Sequence, residues 1–386
     1  MNRDEKILLA ITGLSHLSVH VLMLIFPAIL IVMQNQFALG LDQLGFIVAI
    51  SAFMFGLGAI PAGYFESRLG GRNLLLIYLL GTGLVSVSML LVDSIINLTL
   101  LLGLLGLFAS IYHPAGLTLI SRRVKHLSKG MAFHGIAGST GLAIGPFYAS
   151  ILSETYSWKM PYLIIGIVNF ILALVVLIVV PILYKKRSEE AKIEINTNKQ
   201  GLFYYYGFTI ISGFVFGGFT TFMPTYFAQE TQSILPWISP VVKGGLFTSI
   251  VFSAGAIGQV IGGYTGARYP KPMILMWVAL LNIPVLILMG MTSGLILIFI
   301  SLFLGIFYFV SQPVGNALLA DLTQDGHRGL GYGISFFLSF GVGGISAAFS
   351  GWLAEIMNTS MVFIFMGIAL FPAVYFAYVL ERKVNP

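Results

Sequence analysis

The chain has 386 residues, 58% of them hydrophobic and only 9% charged, with a mean hydropathy of +0.95; soluble domains carry roughly a quarter charged residues, so this is an integral membrane protein. The absence of cysteine excludes disulfides, iron-sulfur clusters and thiolate metal sites. The net charge of +6 does not call for nucleic acid, because the basic residues of a membrane protein collect in its cytoplasmic loops.

Arg3 and Lys6 lead into about 27 apolar residues, too long for the core of a cleavable signal and without a small-residue cleavage site, so this stretch is expected to stay as a helix. Runs long enough to cross a bilayer predict helices at 7–33, 43–65, 73–92, 98–121, 130–153 and 161–183. Residues 184–200 (YKKRSEEAKIEINTNKQ) are the only long polar stretch and read as a solvated linker between an N-terminal half, 1–183, and a C-terminal half, 201–386. Six more spans follow at 202–227, 244–267, 272–291, 294–319, 329–353 and 359–380. Tyr204, Tyr205 and Tyr206, with most of the tryptophans, match an interfacial aromatic belt.

Charge fixes the expected orientation. With the N-terminus in the cytoplasm, 18 of the 20 Lys and Arg fall on that side, leaving only Lys159 and Lys243 on the other. The positive-inside bias therefore places both termini in the cytoplasm of a multi-pass protein of the cell (inner) membrane. The halves also repeat. An offset of 200 pairs Ile50/Ile250, Gly58/Gly258, Gly63/Gly263, Tyr64/Tyr264 and Arg68/Arg268, and an offset of 199 pairs Gly106/Gly305, Phe108/Phe307, Pro114/Pro313, Gly116/Gly315 and Gly130/Gly329. Each copy has an even number of spans, so both enter the membrane from the same side. A parallel repeat of six helices is the arrangement of the two halves of the major facilitator fold, whose site lies between them near mid-membrane.

The residues themselves resemble the major facilitator superfamily over essentially the whole chain. Gly63-Tyr64-Phe65-Glu66-Ser67-Arg68-Leu69-Gly70-Gly71-Arg72 is similar to the family's Gly-x-x-x-Asp-Arg-x-Gly-Arg-Arg loop, which latches the halves in the outward-facing state. Ser67 stands at the Asp position and an acid, Glu66, one place earlier, so the latch carried by Gly63, Glu66, Arg68, Gly70 and Arg72 is expected to be weakened or rewired. More narrowly, the chain is similar to the branch that includes fosmidomycin-resistance transporters. Ser15-His16 matches that branch's Ser-His in the first helix, Tyr112-His113-Pro114-Ala115-Gly116 matches in part its Phe-His-Pro-Glu-Ala, and Gly138 to Pro146 resembles its Gly-rich run ending in Gly-Pro. His20 and Ala115 replace two carboxylates often seen there.

His16 and His20 lie one above the other on a helix face, roughly 6 Å apart. Ionisable groups at depth usually face a water-filled cavity or the bundle interior. Every Asp and Glu falls in a loop or at a helix end, so the titratable groups near mid-membrane are His16, His20 and His113, with His134 about one turn in from the cytoplasmic end of the fifth span. Histidine exchanges protons near neutral pH and favours its charged form beside an anion, which couples proton uptake to arrival of an anionic solute. A lone membrane histidine, His134 in particular, also serves simply as an interhelical hydrogen bond. Imidazoles at i and i+4 such as His16 and His20 can share a transition metal, but no carboxylate or thiol completes the shell, so no metal and no other cofactor is expected. In the second half Gln312, the repeat partner of His113, offers neutral hydrogen-bonding groups with Gln259 and Asn316. Gly138, Gly141 and Gly145 with Pro146, and Gly341, Gly343 and Gly344, allow close helix approach and kinking. They read either as surfaces on which the halves rock or as ordinary small-residue packing.

The expectation is an all-α secondary transporter of twelve membrane helices. It exports a small polar or anionic organic solute or drug in exchange for protons, and works as a monomer without nucleic-acid partners. An uncoupled facilitator, a transition-metal transporter and a non-transporting receptor or scaffold are the alternatives. No Ser-His-Asp set, phosphate loop or deep carboxylate pair supports an enzyme.

Overall fold

The computed structural model describes residues 2–180, 198–323 and 328–384. Among the described residues twelve helices are long and apolar enough to span a bilayer: α1 Arg3–Ala28, α2 Leu41–Glu66, α3 Arg68–Leu91, α4 Ile95–Ser121, α5 Lys129–Thr155, α6 Met160–Val179, α7 Lys199–Glu230, α8 Pro240–Gly266, α9 Lys271–Met291, α10 Gly294–Leu322, α11 Leu330–Ile356 and α12 Thr359–Val384. Their number agrees with the twelve predicted spans. In hydrocarbon a backbone amide has no water to bond, so a helix, which satisfies its own ladder, is the form these runs adopt.

Helix ends follow local chemistry. Asn2 and Glu5 form a reciprocal capping box at the start of α1, with both bonds at 2.8 Å. Ser94, Asn198, Ser239 and Asn358 each accept an amide of the first turn that follows them. Asn198 starts α7, so the last residues of the predicted 184–200 linker are already helical, and the rest of it up to 197 lies outside the described residues. Gly70, at φ +74°, breaks the helical path in the first turn of α3, just past its junction with α2, in a conformation that favours glycine. Of the three consecutive tyrosines, Tyr205 points inward and is buried, a correction to the lipid-facing belt. Successive helical residues are about 100° apart, so three in a row cannot share one face.

The repeat read from the sequence recurs as a repeat of contacts. A side chain on Gly106 of α4 would meet the Ser51 carbonyl of α2, and one on Gly305 of α10 the Val251 carbonyl of α8. Likewise Gly58 lies against the Leu107 carbonyl and Gly258 against that of Ile306. Arg68 sits 5.4 Å from the Tyr64 ring centroid and Arg268 3.8 Å from that of Tyr264.

The first six helices meet the last six along two seams. On one, α5 packs on α8: Gly245 lies against the Pro146 carbonyl and Ser150, and the amide of Phe147, just past the proline, donates to Ser249 Oγ at 3.0 Å. On the other, α2 runs along α11 from the contact of Gly333 with the Ala59 backbone, past Gly56 on Gly341 and Gly45 on the Ala347 carbonyl, to the end remote from the chain termini. There the Leu41 amide donates to Glu355 Oε2 at 2.7 Å. The carboxylate thus satisfies an orphan N–H and the positive end of α2's dipole from the other helix group.

Candidate functional site

A cavity of about 110 Å³ lies between the two groups of helices, bordered by α1, α2, α4, α5, α7, α10 and α11. Its α1 wall begins at His20 and runs to Pro27, so His20 marks the end nearer the chain termini. The polar side chains of the lining are His20, Gln312 and four hydroxyls, Ser51, Thr220, Thr221 and Ser339; no Asp, Glu, Lys or Arg is among the lining residues.

The face of α1 that carries the histidines is set by bonds on its opposite side. Ser18 Oγ donates to Asn169 Oδ1 of α6 at 2.5 Å, Asn169 Nδ2 donates to Thr82 Oγ1 of α3 at 2.9 Å, and the Tyr78 hydroxyl donates to the Ser15 carbonyl at 3.1 Å. All of these groups are buried, where an unpaired polar group is expensive. With Ser15 and Ser18 held against α3 and α6, His16 and His20 turn toward α4 and α5.

His113 arrives through an interruption. Residues 110–111 form a turn within α4, and a new helical piece starts at Tyr112, Tyr112–Arg123. Pro114 falls in its first turn, where a missing N–H leaves no bond unmade. His134 comes from α5. The four rings converge: His16 stacks on His134 with centroids 3.9 Å apart, stands edge-on to His113 at 5.3 Å and lies 4.8 Å from His20, which is 5.7 Å from His113. The room for His16 comes from Gly138, because a Cβ there would run into the imidazole.

Hydrogen bonds fix the protons of neutral His16, His20 and His134. His16 Nδ1 lies 2.7 Å from the His134 carbonyl, which can only accept, so the His16 proton is on Nδ1 and its Nε2 carries a lone pair. His20 Nε2, 3.1 Å away, donates to it, and the His20 proton is therefore on Nε2. The Tyr112 hydroxyl donates to the Thr12 carbonyl and receives from His134 Nδ1 at 3.3 Å. Two buried ring nitrogens, His20 Nδ1 and His113 Nε2, have no hydrogen-bond partner among the described residues. One nitrogen from each of His16, His20 and His113 lies within 4.8 Å of the others.

Of the other predicted residues, Gln259 Nε2 donates to Gln312 Oε1 at 2.9 Å, and Gln312 lines the cavity. Asn316 is exposed and is not among the lining residues; its carbonyl receives the Tyr332 hydroxyl at 3.0 Å. The loop motif divides. Arg72 donates to the carbonyls of Val180 and, at 3.2 Å, Leu177, closing the C-terminal end of α6 within its own group of helices, whereas Arg68 stacks on Tyr64. Gly63 and Glu66 are half-buried near the end of α2. Gly141 faces the Leu17 backbone and Gly145 faces Val21 and Leu24, so these two fit α5 to α1 inside one group, rather than forming a surface between groups. Pro146, Gly341 and Gly344 do lie between groups, the last against Ala52 of α2.

Sequence reasoning missed the aromatic cover. Phe336 of α11 stacks on His113 at 4.7 Å and 16°, and Phe340 packs edge-on to Phe55 at 5.2 Å. Between them and beyond, α11 leaves the α form for a π-helical stretch, Phe337–Val342, and a 3-10 turn, Gly343–Ile345, an irregularity that recurs at functional sites. The Gly-rich run was its visible trace; the stacking partner in α4 was not.

The sequence profile of the Major Facilitator Superfamily matches residues 8–237 and 205–386. No curated protein matches the chain in sequence. Among solved structures it is similar to a bacterial homologue of the human lysosomal transporter Spinster. The inward-facing, occupied form gives a TM-score of 0.82 at 12% identity, covering 99% of this chain and 98% of that one. The inward-facing, unoccupied form gives 0.80 at 13% identity, with 99% and 98% covered. At that identity the likeness speaks to fold alone, and it agrees with the profile match across almost the full length: the chain belongs to the Major Facilitator Superfamily, a family of alternating-access membrane transporters.

Proposed function

We propose that the protein moves a small polar or anionic organic solute through the central cavity, outward across the cytoplasmic membrane, in exchange for protons. Residues 1–183 and 201–386 rock as two bodies joined by the 184–200 linker, with both termini in the cytoplasm. The observation that carries this reading is the convergence of four histidines, from three helices, at one end of a cavity that has no charged side chain in its lining. His20 Nδ1 is a base without a donor among the described residues, so it is the nitrogen at which a proton enters, and His113, whose Nε2 has no hydrogen-bond partner there either, is the second group to take one up. Gln312, oriented by Gln259, supplies the neutral opposite wall that holds the solute by hydrogen bonds. The resemblance of the run from Gly138 to Pro146 to a Gly-rich run ending in Gly-Pro supports the outward direction. A carboxylate-free lining also favours an uncoupled facilitator. Solute flux with simultaneous pH recording in proteoliposomes separates the two: coupled movement of protons supports exchange, and solute flux at constant pH refutes it.

A further inference from the structure

The i, i+4 pair His16 and His20 offers two metal ligands, and the fold adds a third. The two Nε2 atoms are 3.1 Å apart, close to the edge of a tetrahedron of nitrogens around zinc, roughly 3.4 Å for Zn–N bonds of about 2.1 Å. His113 comes from a different helix, and one ring nitrogen from each of the three lies within 4.8 Å of the others, so closing the trio takes a shift of at most roughly 1.5 Å. The His113 nitrogen Nε2 is buried and has no hydrogen-bond partner among the described residues. Behind the trio, His16 gives its Nδ1 proton to the His134 carbonyl, the outer bond that metal-binding histidines usually make, which fixes the tautomer with Nε2 free to bind. We propose that His16, His20 and His113 hold one divalent transition-metal ion, of the zinc or cobalt kind, at the end of the cavity nearer the chain termini.

The ion takes the place of the proton that His20 now shares with His16, and the His20 proton moves to Nδ1, so no proton is lost or gained by the neutral cluster. Three imidazoles without carboxylate or thiolate suit zinc, cobalt, nickel or copper(II) and disfavour calcium and magnesium. His20 lines the cavity, so the fourth ligand, a hydroxide or the carboxylate of a solute, is taken to arrive from that side, completing the shell and offsetting the ion's charge. Metal and protons then compete for the same lone pairs. The inference rests on reading this cavity as the solute site, and it narrows the solute class to metal ions or anions that bind through one.

The test is titration of the purified full-length protein in nanodiscs with Co²⁺, followed by the visible absorption of tetrahedral cobalt and by displacement with Zn²⁺. One ion per chain is expected, with affinity lowered by at least about tenfold in each of His16→Ala, His20→Ala and His113→Ala and unchanged in His126→Ala, an exposed histidine. Lack of saturable binding, or undiminished binding in His113→Ala, overturns the site. X-ray absorption of the zinc-loaded unaltered chain does not depend on the variants folding: three imidazole nitrogens at about 2.0–2.1 Å are expected, and a shell with fewer imidazoles refutes the assignment. Solute flux in proteoliposomes with and without chelator is scored separately. Flux that persists while no metal binds sinks the metal site alone, and lack of flux of any solute, with or without the ion, beside intact metal binding sinks the transport reading alone.

Discussion

Gly138→Ala probes the geometry of the cluster from a residue with no chemistry of its own. A Cβ at 138 would stand 2.7 Å from His16 Nδ1 and 2.8 Å from Nε2, well inside contact distance. His16 cannot simply swing away, since it is buried, stacked on His134 at 3.9 Å and bonded to the His134 carbonyl. Forcing a methyl into such a site costs about 1–3 kcal/mol, and losing the His16 bond adds about 0.5–1.5 kcal/mol. Alanine returns about 1 kcal/mol of helix propensity over glycine, leaving a net destabilisation of about 0.5–3.5 kcal/mol. The decisive comparison is a double-mutant cycle by denaturant unfolding in detergent. In a His16→Ala background the ring is gone, so Gly138→Ala is expected to be neutral or slightly stabilising. An equal cost in both backgrounds, or none in either, would refute the wedge of His16 against α5.

Glu355→Gln removes the charge that holds the Leu41 amide across α11 and α2; a loss of about 1 kcal/mol shifts the equilibrium about fivefold toward states open at that end, read by thiol labelling of a single cysteine placed at Ala347, buried at the α2–α11 seam, in this cysteine-free sequence. Unchanged labelling would show that the contact does not bias the conformations. Gln312→Ala leaves Gln259 without its acceptor and takes a hydrogen bond from the cavity wall; the solute's half-saturation concentration is expected to rise about tenfold with the maximal rate retained, whereas a normal half-saturation would remove Gln312 from the site. Arg72→Ala frees the Val180 and Leu177 carbonyls and is expected to lower stability by about 1–2 kcal/mol while leaving thiol accessibility at Ala347→Cys as it was. Altered accessibility at equal stability would restore Arg72 to a latch.

The twelve spans were legible because bilayer thickness imposes one length on every apolar run, and the repeat was legible because identical glycines sit where carbonyls of a neighbouring helix approach, as at Gly106 and Gly305. His16 and His20 could be joined from spacing alone. That His113 and His134 close on the same point depends on the turn at 110–111 and on Gly138, neither of which carries a periodic signal. Small residues mislead for a similar reason: Gly141 and Gly341 look alike in sequence, yet one faces a helix of its own group and the other faces Gly56 across the seam. Asn316 shows the limit from the other side: it stands one turn from Gln312 on the same helix face, yet it is exposed and lies outside the cavity lining.

Proton movement in proteoliposomes tests the central claim most directly. A panel of drugs, phosphonates, organic acids and divalent metals is presented at about pH 6 and about pH 7.5, within the range in which histidine titrates, to the unaltered chain and to the His16/His20/His113 triple-alanine variant. The account predicts solute-triggered pH changes that the triple variant abolishes. Solute-coupled proton movement that survives the loss of all three histidines would contradict it.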